Sequence, residues 1–289
     1  MSTAAFTLSA PLIGVSPLPH LGVIRATGAD AANFLHNQLT NDVLLLKEGQ
    51  SRLAAYCNAK GRMQASFMVY KHAADDIWLV CSRDLIAQTV KRLSMFVLRA
   101  KVMLIDATDD FSLLGLAGDA ATLHGVIALY PAAGQARALW LAPKSNVTIE
   151  ASQFGPNLSN ELWQVGEVLS GVAWVQQATF EAFVPQMLNY ESIDGVNFKK
   201  GCYPGQEVVA RSQFRGTLKR RAFLVQSDEP LSAGQEVFSS ADASQPCGLV
   251  AQSASDGLNH FALVELQIAS AEATKLTFLP LPYPLRDDI

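Results

Sequence analysis

Cysteine is scarce in this chain, and its four copies, at positions 57, 81, 202 and 247, stand far apart. There is no CxxC and no histidine at zinc-ligand spacing from any of them, which argues against a zinc ribbon or a dithiol redox pair. Reduced thiols are expected. The five histidines are scattered with no pair at i,i+4, so no helix-borne metal site is expected either. Long apolar runs are missing as well. The most hydrophobic window, VIALYPAAGQARALWLAP, is broken by Pro131, Gly134, Gln135 and Arg137, and no uncharged run reaches the roughly eighteen residues that spanning a bilayer takes. The opening residues lack the basic stretch and cleavage pattern of a secretory leader, so the expected location is the cytoplasm, with no membrane partner. Walker, GxGxxG and GxSxG patterns are absent, and the strand-turn-helix candidate LLGLAGDAATL reads as a structural turn. No repeat of fixed period is present, which sets aside solenoids and propellers.

What remains describes a globular protein. Of 289 residues, 49% are hydrophobic and 17% charged, and the length exceeds what one compact core needs, so two or three domains are expected. The net charge of -4 argues against a general nucleic-acid binder, yet it conceals an asymmetry. Lys199 to Arg221 holds seven basic residues (Lys199, Lys200, Arg211, Arg215, Lys219, Arg220, Arg221) against Glu207 alone. That segment is +6. The rest, with 15 basic and 25 acidic residues, is -10.

Periodicity separates the elements. GVIRATGADAANFLHNQLTND reads as a strand, a turn at Thr27 and Gly28, and a helix with Phe34, Leu35 and Leu39 on one face and Asp30 at its cap. QASFMVYK and DIWLVCS read as a hairpin across HAADD. DLIAQTVKRLSMFVLRAK places Ile86, Val90, Leu93 and Val97 at helical spacing, with Asp84 as cap and Arg99 and Lys101 near the C-terminal end. KVMLID closes an α+β unit with a mostly antiparallel sheet. A similar unit follows: FSLLGLAG as strand, DAATLHGVIALY as helix, ARALWLA as strand, NELWQVGEVLSG as helix. Past Arg221, short strand-like runs between turn residues predict a small β-barrel or sandwich.

NFKKGCYPGQEVVAR is the stretch that carries chemistry. Gly201 and Gly205 bracket Cys202, and Pro204 fixes one torsion, so the thiol is expected on a rigid loop. Nearby lysines and arginines would stabilise its thiolate, the form that attacks electrophiles or binds soft metals. Gln206, Glu207 and Arg211 are expected to hold the loop against a neighbouring domain. Cys81, inside WLVCS, and Cys247 read as structural.

The run GVNFKKGCYPGQEVVARSQFRGTLKR closely resembles the signature of the YgfZ family of folate-binding-fold proteins, relatives of the aminomethyltransferase (T-protein) of the glycine cleavage system. TGADAANFLHNQLTNDV, CNAKGRMQASFMVYK, LLGLAG, FVPQMLNYESIDGVNF and the tail PLPYPL extend the resemblance, in family order, over nearly the whole chain. It implies an α+β fold of three small domains in a ring around a central channel. These are placed at 1–110 (first α+β domain), 111–218 (second α+β domain, with the KGCYPGQE loop) and 219–289 (β-barrel), the first two able to interleave. It further implies tetrahydrofolate or a derivative in the channel, and a role in assembling or repairing iron-sulfur clusters in selected enzymes, one of which thiomethylates transfer RNA. The cluster is then a client's or a transient one. The implied partners are a folate and iron-sulfur enzymes or assembly proteins, not nucleic acid directly.

Carried over by the resemblance are Cys202 as catalytic thiol and Lys200, Gly201, Tyr203, Gly205, Gln206, Glu207 and Arg211 as the rest of the signature. Trp163 matches a folate-associated aromatic whose face can stack on a pterin. A second such aromatic corresponds to Leu21. The basic segment, through Lys200 or Arg211, is expected to hold the folate's glutamate tail. Two more departures matter. T-protein aspartates are replaced by Ala65 and Ser66, which cannot serve as a carboxylate base, so T-protein catalysis is not expected. The glutamate that precedes "AG" falls on Leu169, which leaves the pterin without a carboxylate unless Glu167 or another acid supplies one. The competing functions are a folate-dependent one-carbon transferase and an RNA-binding or protein-docking module built on 199–221.

Overall fold

The computed structural model describes residues 6–122, 126–144, 151–214 and 218–286. Among these residues three antiparallel sheets account for the strands. The first has the order β3-β4-β5-β2-β6 and contains β2 (Leu21–Thr27), β3 (Ser51–Cys57), β4 (Met63–Ala73), β5 (Asp76–Ser82) and β6 (Met103–Asp106). Val23 and Trp78 on one face, packed against Phe111 of the second sheet, and Ile24, Ala26, Ile77 and Leu79 on the other alternate as the pleat demands. The second sheet runs β1-β7-β9-β8, from β1 (Gly14–Pro17), β7 (Phe111–Ala117), β8 (Ile127–Ala132) and β9 (Gln135–Pro143). The chain's first strand thus pairs not with its sequence neighbours but with β7, Val15 opposite Leu116.

The third sheet, β11-β12-β13-β10-β14, is built from β10 (Arg220–Ser227), β11 (Glu236–Phe238), β12 (Pro246–Ser255), β13 (His260–Gln267) and β14 (Thr277–Leu279). It is the strand-rich C-terminal part that the sequence announces. Among the described residues its edges β11 and β14 do not pair with each other, so the sheet is open there. One hydrophobic cluster runs through all three sheets, from Leu35 and Phe67 through Leu139 and Trp163 to Phe261 and Leu263. Among the described residues no helix is long and apolar enough to cross a membrane.

Among the described residues four α-helices pack on this frame: α1 (Ala31–His36), α2 (Ile86–Ser94), α3 (Asn160–Leu169) and α4 (Gln206–Phe214). α3 starts as a helix should, with Ser159 Oγ accepting the Leu162 N–H at 3.2 Å. It lies against β12 and β13 on one side and β1 and β8 on the other, between the second and third sheets.

Several local expectations need correction. Asp30 occupies the cap position of α1, but its carboxylate accepts the Lys101 N–H at 2.7 Å and makes no cap bond to the helix. Asp84 caps nothing either; it accepts from Ser82 Oγ and from the Gln177 N–H. α2 ends at Ser94, eight residues after Ile86, and the bonds Met95 N–H to Arg92 and Phe96 N–H to Leu93 tighten its last turn so that the chain can return as β6. Val97, Arg99 and Lys101 therefore lie beyond it. The helix expected over DAATLHGVIALY is a single 3-10 turn, Gly118–Thr122, followed by β8; residues 123–125 lie outside the described residues. Pairing with β9 wins there, because Ala133 (φ 49°) and Gly134 (φ 75°) form the tight turn that a two-residue hairpin requires.

Candidate functional site

Between the first and third sheets, beside α3, a cavity of about 480 Å³ opens. β2 supplies Leu21 at its start, with His20 just before it, and β5 ends in the wall at Ser82, followed by Arg83 and Asp84. α3 contributes Gln164 and Glu167, the segment after it Trp174 and Gln176, and β12 Gln252 and Ser253. Leu21 thus lines the site, though only 2% exposed.

Glu167 is the centre of the arrangement. It is 2% exposed, and its carboxylate accepts from the Trp163 indole N–H at 3.0 Å and lies 3.1 Å from His20 Nε2 through both oxygens. Gln252 adds an amide N–H at 3.4 Å, while its own oxygen accepts the Trp174 N–H at 2.9 Å. Helical spacing explains the first contact, since Trp163 and Glu167 are i and i+4 on α3. A buried carboxylate thus stands two residues before Leu169, where the helix turns the side chain toward the cavity. Such a buried carboxylate, ringed by donors, is suited to a flat ligand that presents adjacent N–H groups.

Trp163 does not offer a stacking face. It is wholly buried, the Arg137 guanidinium sits 4.4 Å from its ring centre, and a Cβ at Gly115 would come within 2.6 Å of ring carbon Cε2. Its role at the site runs through its N–H on Glu167; the aromatic in the cavity wall is Trp174. Ala65 and Ser66 are both buried, and the Ser66 hydroxyl accepts the Val175 N–H at 2.8 Å, tying β4 to the segment that carries Trp174 and Gln176.

The KGCYPGQE loop lies elsewhere on the same end of the first sheet. That end is where β2 begins, β5 finishes and β3 turns into β4. The cavity sits at β2 and β5, the loop against the β3–β4 turn. Gly205 (φ 80°) makes the contact: a Cβ there would lie 2.4 Å from the Asn58 carbonyl oxygen and 2.7 Å from Gly61 Cα. Gly201 has no such constraint, its nearest neighbour being His36 Nε2 at 3.5 Å from a built Cβ. Only one of the two bracketing glycines is thus required by the turn. Gly205→Ala should cost about 3 kcal/mol through left-handed strain plus backbone overlap, and Gly201→Ala under about 1 kcal/mol. Urea unfolding of the pair checks this, and equal losses would refute it.

Cys202 is exposed on this loop and does not line the cavity. The other three thiols are free and buried, and burial pushes all three upward in pKa. A disulfide reagent should therefore release one equivalent of thiol rapidly from the native protein and the remainder only on unfolding. Two or more fast equivalents would contradict these burials.

Lys200 does not point outward. Its ammonium donates to the carbonyls of His36 and Leu39, the latter at 2.8 Å, closing the C-terminal end of α1, and lies 4.8 Å from the centre of the Tyr203 ring. Burial pushes it down to about 8, with Asp42 and Cys202 pulling the other way. From that value up to the ordinary 10.5, the unfolded chain keeps a proton that the native lysine has released, so this group's contribution to stability rises with pH across the window. The stability difference between wild type and Lys200→Met should accordingly grow in favour of wild type from pH ~8 to ~10. A flat difference would be inconsistent with that shift.

The polar signature residues stay local. Gln206 Nε2 donates weakly to the Lys200 carbonyl at 3.4 Å, and Glu207 pairs with Arg211 along α4, both well exposed. They neither brace the loop on another sheet nor reach the cavity. Of the remaining basic segment, Arg220 pairs with Glu265 and Arg221 with the buried Glu191 at 2.9 Å, while Arg215 lies outside the described residues. Two of the seven basic residues are thus paired with acids from outside the segment, and neither Lys200 nor Arg211 lies at the cavity to hold a glutamate tail. Among the described residues no three His, Cys, Asp or Glu side chains gather as a metal site.

His20, Trp174, Gln176 and Gln252 escape a reading of the sequence. A lone histidine and two glutamines carry no spacing signal, and Glu167 is 147 residues from His20 and 85 from Gln252.

Comparison with known proteins gives the family and the fold. Residues 11–124 match the model of the GCVT N-terminal domain. The chain is 30% identical over 235 residues to the tRNA-modifying protein YgfZ of Photobacterium profundum, covering 74% of this chain and 70% of that one. It is 28% identical over 245 residues to the protein of the same name from Vibrio vulnificus, covering 79% and 75%, and 29% identical to an uncharacterized protein of Haemophilus influenzae, covering 74% and 75%. The fold is shared with the glycine cleavage system aminomethyltransferase T from Bartonella henselae, at a TM-score of 0.68 and 16% identity over 94% of this chain and 86% of that one. With the KGCYPGQE loop in place and relatives matched across most of their length, the chain belongs to the YgfZ family.

Proposed function

We propose that the protein binds a reduced folate in the cavity between its first and third sheets and, through Cys202, assists the assembly or repair of iron-sulfur clusters in client enzymes, among them one that modifies transfer RNA. The observation that carries the ligand assignment is the Glu167 carboxylate, buried and facing a cavity of about 480 Å³. A pterin presents the paired N–H donors that such a carboxylate accepts, and its flat ring suits a wall holding Trp174. Glu167 and the Gln252 and Gln176 amides would hold the polar edge. Bound there, a reduced folate supplies a one-carbon carrier.

A binding role is favoured over one-carbon transfer because Ala65 and Ser66 leave no carboxylate on that part of β4, and the Ser66 hydroxyl is committed to the Val175 N–H. The client relation is favoured by thiol placement. A cluster resident on this chain would need several thiolates together, whereas Cys57, Cys81 and Cys247 are each buried apart from the exposed Cys202. Calorimetric titration with 5-formyltetrahydrofolate tests the ligand assignment; saturable binding at one site supports it, and no heat at millimolar folate would reject it.

A further inference from the structure

A second cavity, of about 210 Å³, opens at the same end of the first sheet. Tyr56 near the end of β3, Gln64 at the start of β4, Lys91 and Arg92 on α2, Met95 just beyond that helix and Phe180 line it. It shares no wall residue with the folate cavity. The 3-10 turn Gln177–Thr179 separates the two, leading from Gln176 in one wall to Phe180 in the other. That turn is fastened to the first sheet's helix: Gln88 Nε2 donates to Gln177 Oε1 at 2.7 Å, and Asp84 accepts the Gln177 N–H at 2.9 Å.

The polar groups of this wall are incompletely used. Gln64 is 2% exposed, and its Nε2 donates to Glu181 Oε1 at 2.6 Å, which fixes the orientation of the amide. Its Oε1, at the other end, is buried and accepts no hydrogen bond among the described residues. An acceptor buried without a donor is costly, and a ligand's O–H or N–H relieves it. Tyr56 is buried as well. Burial raises the pKa of its hydroxyl, so that it stays protonated at neutral pH, with the Arg92 guanidinium beside it pulling the other way. Lys91 and Arg92 make no ion pair among the described residues. The acid that faces Arg92 is Glu181, an exposed residue held by Gln64 and Asn58 and facing Lys60 too. With Lys60, Lys91 and Arg92 against Glu181, the mouth of the cavity keeps a positive surplus.

We infer that this cavity binds a small aromatic monocarboxylate whose ring carries an O–H or N–H donor. The carboxylate takes the Arg92 and Lys91 cations and the Tyr56 hydroxyl, since charge-assisted bonds are the stronger ones. The ring packs on Phe180 and the Met95 thioether, and its donor satisfies Gln64 Oε1. Size limits the class. Pockets for drug-sized ligands run from about 300 Å³ upward, so about 210 Å³ suits a single ring with its substituents. This inference stands apart from the folate site and does not depend on it.

The test titrates the full chain, labelled with 13C at its methionine methyls, with 4-hydroxybenzoate. The Met95 resonance, identified by its loss in Met95→Leu, should shift saturably with half-saturation below about 1 mM, while Met68 and Met103 stay in place. Benzoate, which lacks the donor, and 4-hydroxybenzamide, which lacks the charge, should each bind about fivefold or more weakly. Arg92→Gln, a change at an exposed position, should weaken 4-hydroxybenzoate roughly tenfold, and Gln64→Leu should erase its advantage over benzoate. Saturating 5-formyltetrahydrofolate should leave the Met95 shift unchanged. The inference is overturned if Met95 does not respond at about 10 mM probe, if benzoate or the amide binds equally well, or if Arg92→Gln binds as wild type does. Displacement of the probe by 5-formyltetrahydrofolate would overturn it as well, by placing the aromatic acid in the folate cavity.

Discussion

Replacing Glu167 by glutamine should weaken reduced-folate binding by about 3 kcal/mol, roughly a hundredfold, while the protein stays folded. The magnitude follows from charge. An ionised carboxylate accepts N–H groups about twice as strongly as a neutral amide oxygen does, and the amide turns one acceptor into a donor. That donor would face the ligand's own N–H groups or His20. The fold should survive because the Trp163 N–H can still donate to the remaining amide oxygen, and α3 is capped by Ser159 far from the change. Wild type and Glu167→Gln titrated with 5-formyltetrahydrofolate at equal pH decide the matter. Equal affinities would remove Glu167 from the binding edge, and with it the reason for placing a pterin in this cavity.

The same cavity shows where sequence reading stops. Elements whose cause is local are legible: the hairpin of β4 and β5, helix α3, the strand Leu21–Thr27. So is the exposed position of Cys202, because bracketing glycines and a proline force a loop whatever lies around it. Placement by partner is not legible. Trp163 reads equally as core or as ligand platform until Gly115 and Arg137 are seen to fill the space around its ring. The basic run of 199–221 reads as a charged face, yet Lys200, Arg220 and Arg221 turn inward to carbonyls and carboxylates that come from distant parts of the chain. β1, Gly14–Pro17, pairs with β7, about a hundred residues away, and nothing local in GVSP selects that partner. Each of these is a tertiary choice between states that local preference cannot separate.

The second large effect concerns Cys202. In a strain lacking this protein, Cys202→Ala should restore cluster-dependent enzyme activity no better than an empty vector. The purified variant should bind folate within about twofold of wild type and unfold within about 0.5 kcal/mol of it. The separation is what gives the experiment force. Cys202 is exposed and does not line the cavity, so losing its sulfur removes no core packing and no ligand contact. The loop that carries it is held by other groups: Gly205 against Asn58 and Gly61, Lys200 on the end of α1, Tyr203 buried beneath that ammonium. None of these changes with the substitution. A loss of client activity with binding and stability intact therefore reports on the thiol itself. Cys202→Ser sharpens the result, since a hydroxyl of similar size neither ionises near neutral pH nor binds soft metals. Full rescue by either variant would leave the signature loop as a structural contact between α4 and the first sheet, and the client role would have to rest on another group.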